Sequence, residues 1–389
     1  MNSRLVLIVA GEASADLHGS RLVTALKQLD PGLTFWGIGG RSMEEAGVRI
    51  LFHSSEMAVV GLTEVLSRLA TITRAYLKLK TILRKNQPVL LILMDYPDFN
   101  LRLARAAKRF QVPVLYYISP QVWAWRKGRV ETIRRYVDRM AVILPFEKDF
   151  YREKGLDVEH VGHPLLEEIP TDLNGKKARA ELGLHHASPV IALLPGSRKE
   201  EVTNLLPPMI EAAERIHSKY EHLKCLLPRA STIPAELLDG LLKKSPLNVQ
   251  VIHGDVYRVL KACDMALVAS GTATLEAAIL ETPMIIVYRV SFLSYWIGRM
   301  VVRVPFIGLV NLVAGEEVVP ELIQGDVTPE RLAQEAMNLL ENVDKRRSMV
   351  RKLHALRETL GKGGASERTA RIALEMIEAS STGAETKVR

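Results

Sequence analysis

The sequence predicts an α/β chain of two doubly wound domains, each a parallel sheet with helices on both faces. Three observations carry that expectation. Short continuous apolar runs, such as Leu5 to Ala10 and Met265 to Ala269, read as strands buried on both faces, and each is followed by a segment of helical periodicity. The chain has 389 residues, which is more than one ordinary core accommodates and suits two domains of comparable size. The strand and helix alternation also restarts after a stretch marked by Pro170, Asn174 and Gly175.

Composition bounds the class. A hydrophobic content of 48% with 25% charged residues is that of a folded globular protein and excludes a disordered one. The formal net charge of +8 favours acidic partners: nucleic acid, anionic lipid or a phosphorylated substrate. Charge does not choose among them. Only Cys225 and Cys263 are present, each in or beside a strand-like run, so buried thiols in a reducing compartment are expected rather than a disulfide framework. The chain passes from Met1 directly into a strand with no secretory pattern, and a cytoplasmic location is expected.

In the first domain, expected over residues 1–165, the strand Leu5 to Ala10 leads into Gly11-Glu12-Ala13-Ser14-Ala15-Asp16 and a helix patterned on Leu22, Leu26 and Leu29. That turn is not Gly-x-Gly-x-x-Gly, which disfavours NAD or FAD. Further strands are expected at Thr34 to Ile38, Val89 to Met94, Val112 to Tyr117 and Arg139 to Leu144, with helical segments between them. Ligands of such sheets gather above the carboxyl ends of the strands. Asp95, directly at the end of Val89 to Met94, is therefore the candidate general base for a hydroxyl nucleophile, because a water-poor strand end can raise a carboxyl pKa toward neutrality. Asp98 is more readily explained as a turn or helix-capping residue. The loop Ser119 to Arg126 carries Trp123 and Trp125, residues that ordinarily pack.

The second domain, expected over 166–365 with a helix and polar tail at 366–389, has strands at Val190 to Leu194, Leu223 to Leu227, Val249 to Ile252, Met265 to Ala269 and Met284 to Tyr288. The most informative stretch is Cys263 to Tyr288, which reads strand, turn at Ser270-Gly271-Thr272, helix from Ala273 to Leu280, strand. A helix entered this way directs unpaired N–H groups and its positive dipole end above the sheet, where a phosphate fits. Glu276 is three residues after neither Ser270 nor Thr272, so it forms no capping box with either and could grip a ribose diol. An ordinary helix start with a Glu that favours the dipole explains this segment taken alone. The first strand of the same domain ends in Pro195-Gly196-Ser197-Arg198, where glycine permits close backbone approach and arginine offers a fork for phosphate. Two such turns in one sheet suit a diphosphate. His163, His253 and His185-His186 lack zinc-ligand spacing, and no metal or cofactor is expected. No Gly-x-Ser-x-Gly, Walker or kinase signature occurs.

Two stretches combine apolar and basic residues. Between Met57 and Lys85, Leu62, Val65, Leu66, Leu69 and Ile72 fall at helical spacing among Arg68, Arg74, Lys78, Lys80, Arg84 and Lys85. This is either a core helix with a solvated basic face or a membrane-surface helix, with Leu62, Leu66 and Leu69 as the contact residues. The second stretch, Phe292 to Val313, holds Trp296 and Phe306 but is broken by Arg299, Arg303 and Pro305 too early to span a bilayer.

Six motifs then stand in order: Val9 to Asp16, Asp95 to Asn100, Tyr117 to Trp125, Leu194 to Arg198, Ala269 to Glu276 and Asn311 to Ala314. Together they resemble the lipid-A-disaccharide synthase family of GT-B glycosyltransferases, from about Leu5 to about Leu360. The resemblance implies two Rossmann-like domains facing a central cleft, the N-terminal one binding the acceptor and the C-terminal one the UDP-sugar. It implies inverting transfer from UDP-2,3-diacylglucosamine to the 6-hydroxyl of 2,3-diacylglucosamine 1-phosphate, with no metal and no nucleic acid. On this resemblance Asp95 is the base; Gly196, Ser197, Arg198, Ser270, Gly271, Thr272, Glu276 and Asn311 serve the donor; and Glu12, Ser14 and Asp98 serve the acceptor. Peripheral attachment to the cytoplasmic face of the inner membrane is implied, and a homodimer is compatible. Ala15 stands where the family usually has glycine.

Other readings share these features. A peptidoglycan N-acetylglucosaminyltransferase or a non-hydrolysing UDP-GlcNAc 2-epimerase would use the same fold. A two-lobed nucleotide-binding regulator or membrane adaptor would use the same phosphate cleft without needing Asp95.

Overall fold

The apolar runs of the sequence form strands buried on both faces, as parallel strands covered by helices must be. The computed structural model describes residues 4–57, 62–124, 128–291, 295 and 304–385. Two units result: Met1–Glu167 with Leu360–Arg389, and Glu168–Thr359. Trp125 and Arg126, the Ala58 to Gly61 part of the first apolar and basic stretch, and Trp296, Arg299 and Arg303 of the second lie outside the described residues.

Among the described residues the first unit holds seven strands: β1 (Arg4–Ala10), β2 (Leu33–Gly39), β3 (Arg49–His53), β4 (Leu90–Met94), β5 (Val114–Tyr117), β6 (Arg139–Val142) and β7 (Glu159–His160). Their order is β3-β2-β1-β4-β5-β6-β7, every pair parallel. From β1 the chain winds one way and from β4 the other. That reversal opens a crevice at the carboxyl ends of β1 and β4, the usual ligand position in a doubly wound sheet. Ala10 pairs with Met94, so the residues that follow each strand emerge side by side. Gly11 answers a steric demand here, because a Cβ would sit 2.6 Å from Cγ of Tyr96.

The second unit repeats the logic with six strands among the described residues: β8 (Val190–Leu194), β9 (Lys224–Arg229), β10 (Val249–His253), β11 (Met265–Ala269), β12 (Met284–Tyr288) and β13 (Glu321–Ile323). The order β10-β9-β8-β11-β12-β13 puts the switch between β8 and β11, where Leu194 pairs with Val268. Cys225 lies buried on β9, and both it and Cys263 are free thiols.

Three strands were not expected from the sequence. β3, β7 and β13 lie at sheet edges and carry Arg49, Glu159 and Glu321; β7 and β13 are also short, and β3 is bounded by Arg49 and His53, so none presents the continuous apolar run that marks the central strands. The domain limits also differ from expectation. The first unit runs to Glu167 and recovers the chain at Leu360, whose carbonyl accepts from the His163 N–H at 2.9 Å. The helix Ala365–Glu385, expected as a separate terminal segment, belongs to this unit. Its Ala370, Ala373 and Ile377 are buried, Arg368 donates to the Val161 carbonyl at 2.6 Å, and the Ser366 hydroxyl donates to Glu167 at 2.8 Å. Ala15 is buried in the first turn of the helix Ala13–Leu29, a place that requires no glycine.

Candidate active site

In the first unit the crevice between β1 and β4 is dominated by Asp95. Both Asp95 (φ 47°) and Tyr96 (φ 45°) occupy the left-handed region, an uncommon and strained conformation for residues with a Cβ. Side chains hold that turn. The Asn100 amide, wholly buried, donates to the Asp95 carbonyl at 2.6 Å and to the Met94 carbonyl at 3.1 Å, while the Tyr116 hydroxyl also donates to the Asp95 carbonyl. Tyr96 is anchored separately through its hydroxyl to the Met57 carbonyl. Burial, together with the charge of Glu12, pushes the Asp95 carboxyl up to about 6, against the Tyr96 N–H, which pulls it down. A base with that value is largely ionised at neutral pH yet still basic.

The companions expected on this side are distributed differently. Glu12 precedes the helix Ala13–Leu29, is exposed, and acts on Asp95 through charge. Ser14 is exposed in the first turn of that helix. Asp98 lies in the first turn of the helix Pro97–Arg109 and is paired with Arg129, so it is a solvated ion-pair member at the crevice edge.

In the second unit the turns after β8 and β11 meet at the switch point, as required if they are to grip one anion. Gly196, Ser197, Arg198, Ser270, Gly271, Thr272 and Glu276 all line a single cleft of about 700 Å³, which Arg229, His253 and Asp255 also line. The helix Thr272–Ile279 begins without a side-chain cap, so its first N–H groups are left for whatever enters the cleft. Gly271 is extended, and a Cβ there would meet nothing within 4 Å, which leaves open space directly over the turn. Glu276 is raised to about 7, first by burial and then by the charge of Glu168, while a hydrogen bond from Tyr257 draws it down.

The sequence matches the profile of the family described as lipid-A-disaccharide synthetase over residues 6–376. This chain belongs to the lipid-A-disaccharide synthase family. It is 51% identical to the lipid-A-disaccharide synthase of Syntrophus aciditrophicus (strain SB) over 381 residues, covering 98% of this chain and 100% of that one. Its fold is similar to that of UDP-GlcNAc 2-epimerase from Neisseria meningitidis bound to UDP-GlcNAc, with a TM-score of 0.65, 14% identity, and coverage of 95% and 100% of the two chains. It is also similar to the glycotransferase of kitacinnamycin, with a TM-score of 0.64, 15% identity, and coverage of 96% and 98%. The GT-B class expected for this family member is therefore borne out by two parallel-sheet α/β units and by these neighbours.

One residue expected at the donor is not brought to it. Asn311 is fully buried and does not line the cleft. Its amide donates to the Val319 carbonyl and to Glu321, both at 2.8 Å, and its oxygen accepts from the N–H groups of Val318 and Val319 at 2.8 and 3.0 Å. No hydrogen-bonding position is left over for a ligand. Glu321 in turn accepts from the N–H groups of Ile307 and Gly308, and the Ile307 carbonyl accepts from the Ser270 hydroxyl at 3.2 Å. Asn311 in this synthase-family chain thus braces the cleft at one remove. Glu201 and Thr232, which sequence reasoning passed over, act directly on the cleft loop. Thr232 donates to the Ser197 carbonyl at 2.6 Å, and Glu201 caps the helix Lys199–His217. Glu201 stands three residues after Arg198, the capping-box spacing, which was the available signal.

The side chains of Leu62 and Leu66 lie outside the described residues, although the helix Leu62–Asn86 includes both positions. Leu69 is half exposed on that helix.

Proposed function

We propose that this chain transfers a 2,3-diacylglucosamine unit, with inversion, from its UDP donor to the 6-hydroxyl of 2,3-diacylglucosamine 1-phosphate. The products are the β-1,6-linked disaccharide 1-phosphate of lipid A biosynthesis and UDP. Within the family assignment, the observation that carries this reading is Asp95, a carboxyl held near 6 by its surroundings on a turn fixed by two buried side chains. Asp95 takes the proton of O6 as O6 bonds to the anomeric carbon. The bond from that carbon to the diphosphate oxygen breaks, and its electron pair leaves with UDP. Arg198 and the first N–H groups of the helix Thr272–Ile279 meet the charge that develops on the leaving oxygen. Gly196, Ser197, Ser270 and Gly271 let the diphosphate approach the backbone, and Glu276 accepts from the ribose hydroxyls. Glu12, Ser14 and Asp98 border the acceptor, and Asn311 acts through Glu321 and the Ile307 segment.

Peripheral binding to the cytoplasmic face of the inner membrane belongs to the same reading. Leu69 and Leu77 are exposed on the helix Leu62–Asn86, two turns apart, with Arg74 and Lys78 beside Leu77. Apolar side chains ringed by cations suit an anionic bilayer surface. Among the described residues no helix is long and apolar enough to cross a membrane.

The test is incubation with UDP-2,3-diacylglucosamine and the acylated 1-phosphate acceptor, followed by mass analysis. A disaccharide 1-phosphate with equimolar UDP is expected. UDP release without disaccharide, or an epimerised donor, would overturn the reading.

A further inference from the structure

The donor groups best placed for a diphosphate are already engaged by a carboxylate of the chain itself. Oε2 of Glu201 accepts from the N–H groups of Ser197 at 3.1 Å and Arg198 at 3.2 Å, and Oε1 accepts from the Arg198 guanidinium at 2.7 Å. The room for this carboxylate is made by Gly196, at φ +111°, where a Cβ would lie 2.3 Å from Oε2. The glycine of this turn therefore serves Glu201 as much as any ligand. Both side chains line the cleft, Arg198 exposed and Glu201 mostly covered. Tyr288 stands in the field of the same pair, its hydroxyl raised by burial and by Glu201 and lowered by Arg198.

Resting on the functional reading above, we infer that Glu201 competes with the UDP diphosphate for Arg198 and the loop amides, and thereby sets how readily UDP leaves. A diphosphate entering the cleft meets a like charge and must draw Arg198 away from its partner. Both effects weaken binding, and both help expel the spent nucleotide. Charge-assisted hydrogen bonds to Arg198 are exchanged, not created.

Glu201→Gln separates this role from capping. The glutamine oxygen still accepts from the loop amides, and Thr232 pins the Ser197 carbonyl independently. Calorimetric titration with UDP of the full-length wild type, Glu201→Gln, Arg198→Ala and the double variant provides the test. Glu201→Gln is expected to bind UDP roughly three- to tenfold more tightly, the scale of losing one partly exposed charge contact. The inhibition constant for UDP should fall by the same factor, and donor KM and kcat should fall together. In the Arg198→Ala background the gain should shrink. Equal or weaker UDP binding by Glu201→Gln overturns the inference while leaving the functional reading intact, and an undiminished gain without Arg198 overturns the competition for that side chain. Failure of the wild type to bind UDP overturns both.

Discussion

Glu12 and Asp95 carry like charge at neighbouring strand mouths, because Ala10 and Met94, the last residues of their strands, are ladder partners; the charge of Glu12 helps hold the Asp95 carboxyl at about 6. A base works only when ionised, and a carboxyl raised to this value takes up its proton as pH falls through 6. The value of kcat/KM should therefore rise with pH through about 6 and then level off. Glu12→Gln removes the repelling charge, lowers the Asp95 pKa and should move this limb to lower pH. An unmoved limb in that variant would mean that the two carboxylates are uncoupled.

Asp95→Asn keeps the shape of the turn, since Asn100 and Tyr116 bond its backbone carbonyl and the amide oxygen can still accept from the Tyr96 N–H. Transfer should fall by about 10²–10⁴-fold, the range for losing a general base. UDP-sugar binding, which the proposed function assigns to the second unit, should persist in equilibrium titration. Full transfer by this variant would remove Asp95 from the chemistry.

Asn311→Ala strips four hydrogen bonds from a fully buried site and leaves the N–H groups of Val318 and Val319 without their acceptor. Unsatisfied buried groups make this costly, and denaturant unfolding should show a loss of about 2–4 kcal/mol. Below the unfolding transition, UDP affinity should fall only a few-fold, because the side chain does not line the cleft and reaches it only through Glu321 and the Ile307 segment. A large affinity loss with unchanged stability would instead show that Asn311 touches the donor.

The contrast between Asn311 and Arg198 shows what a sequence can disclose. Central strands such as β1, β4, β8 and β11 are buried on both faces, so their apolar runs are unmistakable, and the turns that follow them can be placed without coordinates. That is why Asp95, the turn Gly196 to Arg198 and the turn Ser270 to Thr272 were legible as strand-end residues. Asn311 follows no such strand. Its burial depends on Val318, Val319 and Glu321 folding back over it, which local periodicity does not encode. The C-terminal helix reads as amphipathic, but its docking partner Ala13–Leu29 lies more than three hundred residues away, so its membership of the first unit could not be read locally. The edge strand β13 fails for another reason: it is only Glu321–Ile323, too short to carry a pattern.

Membrane attachment supplies the last expectation. On the helix Leu62–Asn86, Ala75, Leu79 and Leu83 are fully buried, so one face already packs inside the first unit. Leu69 and Leu77 are exposed instead, at 50% and 55%, and an apolar side chain facing water loses the transfer free energy that a bilayer would restore. Arg74 and Lys78 line a shallow groove with Leu77, so the attraction should grow with anionic lipid and weaken with salt. Replacing Leu62, Leu66 and Leu69 together by Ser should reduce co-sedimentation with anionic vesicles, and Leu69→Ser with Leu77→Ser should do so with little loss of folding stability, because both side chains are exposed. Undiminished vesicle binding by both variants, at low salt and with native-like unfolding curves, would show that this helix is not the contact.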